Sequence, residues 1–242
     1  MKKKLLCVLF ASVGLSINSF AQTNQTGSLS EAYRNFNILA TSSLNYKSLK
    51  DFKSIAGKDV FYSDEWMHGG AVSTSNMSVS TGYEFNFNFM NHELFTKYKD
   101  SVIVIDNNSL KSFYLNDNGK KKHFYKYAFT GDIKFYELLS SDTTSNKIML
   151  LKLRTVKEQR GDKSAGSNYT GDFSNKFVSS YDYYLLLPDN SFKRIKLNAE
   201  SLQKNLSPDY EEKVKSVIKN HKKVNEKTAG EIIDELNTIN NT

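Results

Sequence analysis

The sequence predicts a mainly β fold of the β-rich α+β kind, an antiparallel β-meander forming a sandwich or open barrel, followed by a C-terminal pair of amphipathic helices. Three observations carry this. Tyr83-Glu84-Phe85-Asn86-Phe87-Asn88-Phe89 alternates aromatic and polar residues over a full strand length, and a period of two is the signature of a strand with one buried face. The segments around it are strand-like and separated by short Asn-, Asp- and Ser-rich turns, too short for the helical crossovers of a parallel sheet. After about residue 199 the apolar period changes to that of a helix.

Taken in order, the chain opens on a leader. Lys2, Lys3 and Lys4 form a basic n-region, Leu5 to Leu15 an apolar h-region, and Ser19-Phe20-Ala21 a signal peptidase site, so residues 1–21 read as a signal peptide. The h-region is too short for a mature membrane helix, and no transmembrane span is expected after cleavage near Ala21. Cys7, the single cysteine of the 242 residues, leaves with the leader, which removes disulfides, thiolate metal sites and thiol nucleophiles together. The net charge of +7 falls by the three leader lysines to +4. The remaining basic residues are dispersed, so nucleic acid is not an expected partner. A periplasmic or secreted location follows from the leader.

Residues 22–56 read as a polar segment with one short helix, its apolar residues Leu29, Ala32, Tyr33, Phe36 and Leu39 recurring at helical spacing. Residues 57–198 form the β-domain. Its expected strands are Ala71 to Val79, Tyr83 to Phe89, Glu93 to Tyr98, Ser101 to Ile105, Leu110 to Leu115, His123 to Thr130, Phe135 to Ser140, Lys147 to Thr155, Phe177 to Leu187 and Phe192 to Leu197. The alternation at residues 83–89 places four rings on one face and Glu84, Asn86 and Asn88 on the other. Segments such as Val102 to Ile105 are apolar on both faces and demand cover on both sides. Residues 156–175 are polar and rich in Gly and Ser, and read as a long loop between two strands. Residues 199–242 supply the helical pair. Ser207 with Pro208 reads as the start of one helix, striped by Tyr210, Val214, Val217, Ile218 and His221, and Thr228-Ala229-Gly230-Glu231 as a capping box ahead of Ile232, Ile233, Leu236 and Ile239.

The run from Lys58 to Val72, with Trp66 and Gly69-Gly70 at its centre, resembles the opening of a family of uncharacterised secreted proteins of the Bacteroidota. The likeness continues through Ile105 to Phe113, Phe135 to Leu139, Leu150-Leu151-Lys152 and the tail from Leu202 to Ile239. It implies a bacterial envelope or secreted location and no established activity. Two positions depart from the family pattern: Gly69-Gly70, where one Gly is expected, and the polar insertion after Thr155. The same origin would make Asp100-Ser101-Val102 and Asp142-Thr143-Thr144 similar to O-glycosylation acceptors, with Ser101 or Thr143 modified.

No catalytic, cofactor-binding or metal-binding residues are assigned. His68, His92, His123 and His221 lack the spacing of a zinc site. Asp64-Glu65 beside Trp66 could act as a general acid, but glycoside hydrolysis needs a second convergent carboxylate that the sequence does not offer. No nucleophile elbow, phosphate loop or dinucleotide fingerprint is present. Arg160-Gly161-Asp162 is an integrin-type tripeptide in a polar loop, of a length that recurs by chance. What remains is binding. Trp66, Tyr181, Tyr183 and Tyr184 are the candidate ligand or partner surface, because tyrosine offers ring area while keeping its hydroxyl wet. The expectation is an exported, non-catalytic envelope protein acting as a protein-interaction module, with a glycan- or lipid-binding module, or a hydrolase, as the competing readings.

Overall fold

A computed structural model describes residues 46–48, 60–74, 78–79, 83–98, 101–129, 131–141, 147–159, 176–206, 211–221 and 223–239. The expected leader, the helix at 29–39, the tripeptide at 160–162, the Ser207-Pro208 cap and Thr143 lie outside the described residues.

The fold is mainly antiparallel β with helices toward the C-terminus, in agreement with the expected class. Twelve strands form one open sheet. They are β1 (Tyr46–Ser48), β2 (Met67–Ser73), β3 (Ser78–Val79), β4 (Glu84–Asn88), β5 (Glu93–Tyr98), β6 (Ser101–Val104), β7 (Leu110–Asp117), β8 (Lys120–Tyr127), β9 (Lys134–Leu138), β10 (Met149–Gln159), β11 (Lys176–Leu186) and β12 (Phe192–Ile195). Three helices follow: α1 (Ala199–Asn205), α2 (Glu211–Lys219) and α3 (Glu226–Ile239). From β7 to β12 each strand pairs with the next, a plain meander, whereas the other half runs β1-β6-β5-β4-β2 and joins at β7. The turn between β7 and β8 shows why such hairpins close: Asn118 and Gly119 both adopt positive φ, at 49° and 79°, as a two-residue type I′ turn requires.

β2 is the seam between the halves. Its first two residues pair with β4, Met67 opposite Phe85 and His68 opposite Glu84, while Gly69 to Ser73 pair with β7. At the changeover Gly69 lies against the carbonyl oxygen of Tyr114 and 3.2 Å from the Phe85 ring, measured from where a Cβ would stand. Only glycine fits there, although its weak strand propensity hid the true start of β2.

The sheet doubles over so that rings of β4 meet rings of β7, β8 and β9. Phe87 sits 4.9 Å from Phe113, 5.6 Å from Phe124 and 5.8 Å from Phe135, centroid to centroid. Burying each such ring contributes roughly 1.5–3 kcal/mol. A second core lies between β10–β12 and the helices, where Leu150 and Leu185 meet Leu202, Val214, Val217, Ile232, Ile233 and Leu236. The apolar stripes of the C-terminal tail are therefore spent inside the molecule.

Several expectations need correction. The alternation at β4 buries Phe85 and Phe87 as expected, but Asn86 and Asn88 are buried too. Asn86 donates to the carbonyls of Ser63 and Glu65, and Asn88 accepts from Met90 N and Asn91 N, so the second face is covered by local chain rather than water. The long loop does not begin at residue 156, because Val156 is buried in the first core and β10 continues paired with β11 through Gln159 opposite Lys176. The expected N-terminal segment 22–56 contributes β1, which pairs with β6. The tail carries a third helix, α1, capped by Asn198, whose side chain accepts from Ser201 N at 2.7 Å. Asn225, not Thr228, caps α3: its side chain accepts from Thr228 N, and Thr228 in turn accepts from Asn225 N, which is the reciprocal bonding of a capping box one turn earlier.

Candidate functional site

One face of the β7–β11 sheet is apolar at both ends and charged in the middle. By alternation along β9, Glu137 shares its face with Phe135 of the first core and Leu139 beside the second. Along β10, Lys152 and Arg154 lie between Leu150 and Val156 in the same way. Register turns this into a row, with Glu137 opposite Lys152, Lys152 opposite Tyr183, and Arg154 opposite Tyr181. Asp117 and Lys122 extend the row from the β7–β8 hairpin on the face that carries Phe113 and Phe124.

The row lines a cleft of about 330 Å³ between the doubled sheet and α3, closed on one side by Tyr62 and on the other by Glu226. Four of its charges, Lys122, Glu137, Lys152 and Glu226, are linked in a chain. Lys122 Nζ donates to Glu137 at 3.1 Å, Lys152 lies 3.9 Å from the other Glu137 oxygen, and Lys152 also reaches Glu226 at 3.0 Å. The Tyr183 hydroxyl donates to Glu226 at 2.7 Å, and the Tyr62 hydroxyl to Asp117 at 2.9 Å. The Arg154 guanidinium covers the Phe89 ring at 4.4 Å and donates to Ser179 Oγ.

These contacts set the protonation states. Burial, and then the bond to Asp117, push the Tyr62 hydroxyl far above its ordinary range. Burial, and then the bond to Glu226, do the same for Tyr183, so both phenols remain donors. Burial alone would raise the Glu226 carboxyl, but the Tyr183 hydroxyl and the Lys152 ammonium together outweigh it and hold the group below the usual carboxylate range.

Of the expected surface residues, Tyr181 lines this cleft, and Tyr183 borders it through its bond to Glu226. Tyr181 is 47% exposed and carries Lys152 Nζ 4.8 Å from its ring centroid. Tyr184 points to the opposite face, stacked on Phe192 at 4.6 Å. Trp66 packs half-buried against the first core, while its neighbours Ser63 and Met67 line the cleft. Asp64 and Glu65 are exposed on the bend before β2. The residues not anticipated are Tyr62, Asp117, Lys122, Glu137, Lys152, Arg154 and Glu226. The available signal was the charge interleaved with leucine in Leu150-Leu151-Lys152-Leu153-Arg154, on a strand otherwise apolar on both faces.

No protein-family model, curated protein or solved structure matches the chain. No helix among the described residues is long and apolar enough to cross a membrane.

Proposed function

We propose that this protein is an exported, non-catalytic binding module whose ligand is a neutral, hydroxyl-rich glycan held in the cleft beside Tyr181. The observation that carries this reading is the balance of the lining. Three acids (Asp117, Glu137, Glu226) face three bases (Lys122, Lys152, Arg154), so a charged ligand would leave one sign in excess. Alternating carboxylates and ammonium groups supply acceptors and donors for vicinal hydroxyls, and an exposed tyrosine ring supplies the apolar platform on which a sugar face rests. Export rests on the leader. The amphipathic tail lends nothing to a protein-interaction role, because its stripes are buried against β10–β12.

The test is a titration followed by amide and aromatic NMR, using neutral envelope and dietary oligosaccharides, with fatty acids as the competing ligand class. Shifts localised to Tyr62, Tyr181 and Tyr183, abolished by Tyr181→Ala with the fold intact, are expected. Absence of any saccharide response, or a response to fatty acids alone, would overturn the proposal.

A further inference from the structure

β11 has eleven residues, but β12 covers only part of its outer edge, from Tyr183 opposite Ile195 to Leu186 opposite Phe192. From Lys176 to Asp182 that edge has no neighbour among the described residues. Its direction is set by the hairpin. Leu187 exchanges backbone hydrogen bonds with the β12 side, donating to Ser191 O and accepting from Asn190 N. Backbone groups alternate along a strand, so the odd residues Phe177, Ser179 and Tyr181 present N–H and C=O on the open edge. Val178 and Tyr181 here are 48% and 47% exposed.

We infer that this edge pairs with the same edge of a second copy, antiparallel and two-fold symmetric about Ser179. Self-pairing in that register places Lys176 opposite Asp182, Phe177 opposite Tyr181, and Val178 opposite Ser180. No pair opposes the register: Lys176 joins the Asp182 carboxylate that Arg194 of its own chain already bonds, the rings of Phe177 and Tyr181 meet, and Val178 meets the small Ser180. Charges usually blunt a sheet edge by repelling a second edge. On this edge the two charges have opposite signs and sit three positions either side of the centre, so the two-fold brings each onto its complement. The backbone also agrees, since outward-facing residues meet only outward-facing residues and each such pair exchanges two hydrogen bonds. There is room for the incoming strand end. The chain leaves β12 for α1 through Lys196 to Asn198, and a cavity of about 960 Å³ lies beside Tyr181 and Asp182, where Lys176 of the second copy arrives. The result is a continuous sheet through both copies, with an isologous interface. It shares Tyr181 with the glycan reading but rests on strand register and not on the cleft.

Ser179 on the axis supplies the test. In a Cys7→Ser background of the full chain, Ser179→Cys brings two thiols together at a hydrogen-bonded pair, whose Cα separation of about 5.5 Å suits a disulfide. Lys176→Cys places its two thiols at opposite ends of the interface, about 20 Å apart at roughly 3.4 Å per residue. Under mild oxidation, Ser179→Cys should form a covalent dimer at least tenfold faster than Lys176→Cys. Sedimentation velocity of the unmodified chain should show a concentration-dependent dimer weakened at least tenfold by Lys176→Glu. A chain that stays monomeric at all concentrations, or equal cross-linking of the two cysteine variants, would overturn the inference.

Discussion

The side chain of Asn237 pairs with the backbone of Ile148 as a neighbouring strand would: its carbonyl oxygen accepts from Ile148 N and its amide donates to Ile148 O, both at 2.9 Å. Asn237 is buried, and the bond pair ties α3 to the start of β10, helped by Asp234, which accepts from Ser141 N at 2.8 Å. Asn237→Leu keeps the volume and strands both groups of Ile148, so it should destabilise the fold by about 2–4 kcal/mol. Asn237→Asp retains an acceptor and should cost less. Urea unfolding of the two variants checks the order.

Gly69→Ala should destabilise by about 1–3 kcal/mol, because the added methyl meets the Tyr114 carbonyl oxygen, a backbone atom that cannot swing away. Gly119→Ala is the control. Its Cβ would meet nothing, and only its φ of 79° opposes the change, so a smaller cost of about 1 kcal/mol is expected. Thermal melts showing Gly119→Ala as the worse variant would refute the role given to the β2 seam.

His92 is 6% exposed, and both of its ring nitrogens lack a hydrogen-bond partner. Burial, aided by Lys134, lowers its pKa to about 4. A histidine that is neutral in the fold takes up a proton more readily once unfolded. Its contribution to stability is therefore intact above about pH 6.5 and is lost as pH falls from there toward about 4. His92→Phe should flatten the slope of unfolding free energy against pH across that window. Any pH-independent cost of placing Phe at a φ of 53° leaves the slope untouched. An unchanged slope by urea titration would count against a buried neutral ring.

Tyr183→Phe removes one of the three groups that hold the Glu226 carboxyl down, Lys152 and Lys122 being the others, so Glu226 should titrate higher than in the parent chain. Lys152→Met should raise it too, and should also leave Glu137 with one cation instead of two. Carboxyl-detected NMR titration reads both shifts directly. If Glu226 does not move in either variant, the linked row of charges is not what sets its protonation.

How much of this was legible depended on whether the cause was local. Glu93 to Tyr98 appears at its expected bounds, because the Met90-Asn91 turn before it is written in the local sequence, although Leu94, Phe95 and Thr96 are buried on both faces of the strand. β2 was placed late, since Gly69 and Gly70 read as a break and the carbonyl that demands glycine lies more than forty residues along, at Tyr114. α1 went unseen because seven residues with one buried side chain, Leu202, carry too little period. Tyr181 and Tyr183 were legible as aromatic residues on a strand. Their companions Glu137, Lys152 and Glu226 were not, because each is an ordinary charge until β-register and the docking of α3 bring them within bonding distance.

Glu226 reaches the cleft from the last helix, whereas Tyr62 and Asp117 stand far earlier in the chain. Without α3, Lys152 and Glu137 would stand together without that counter-charge. A chain cut short after β12 would present an open groove with two acids against three bases in place of a balanced one.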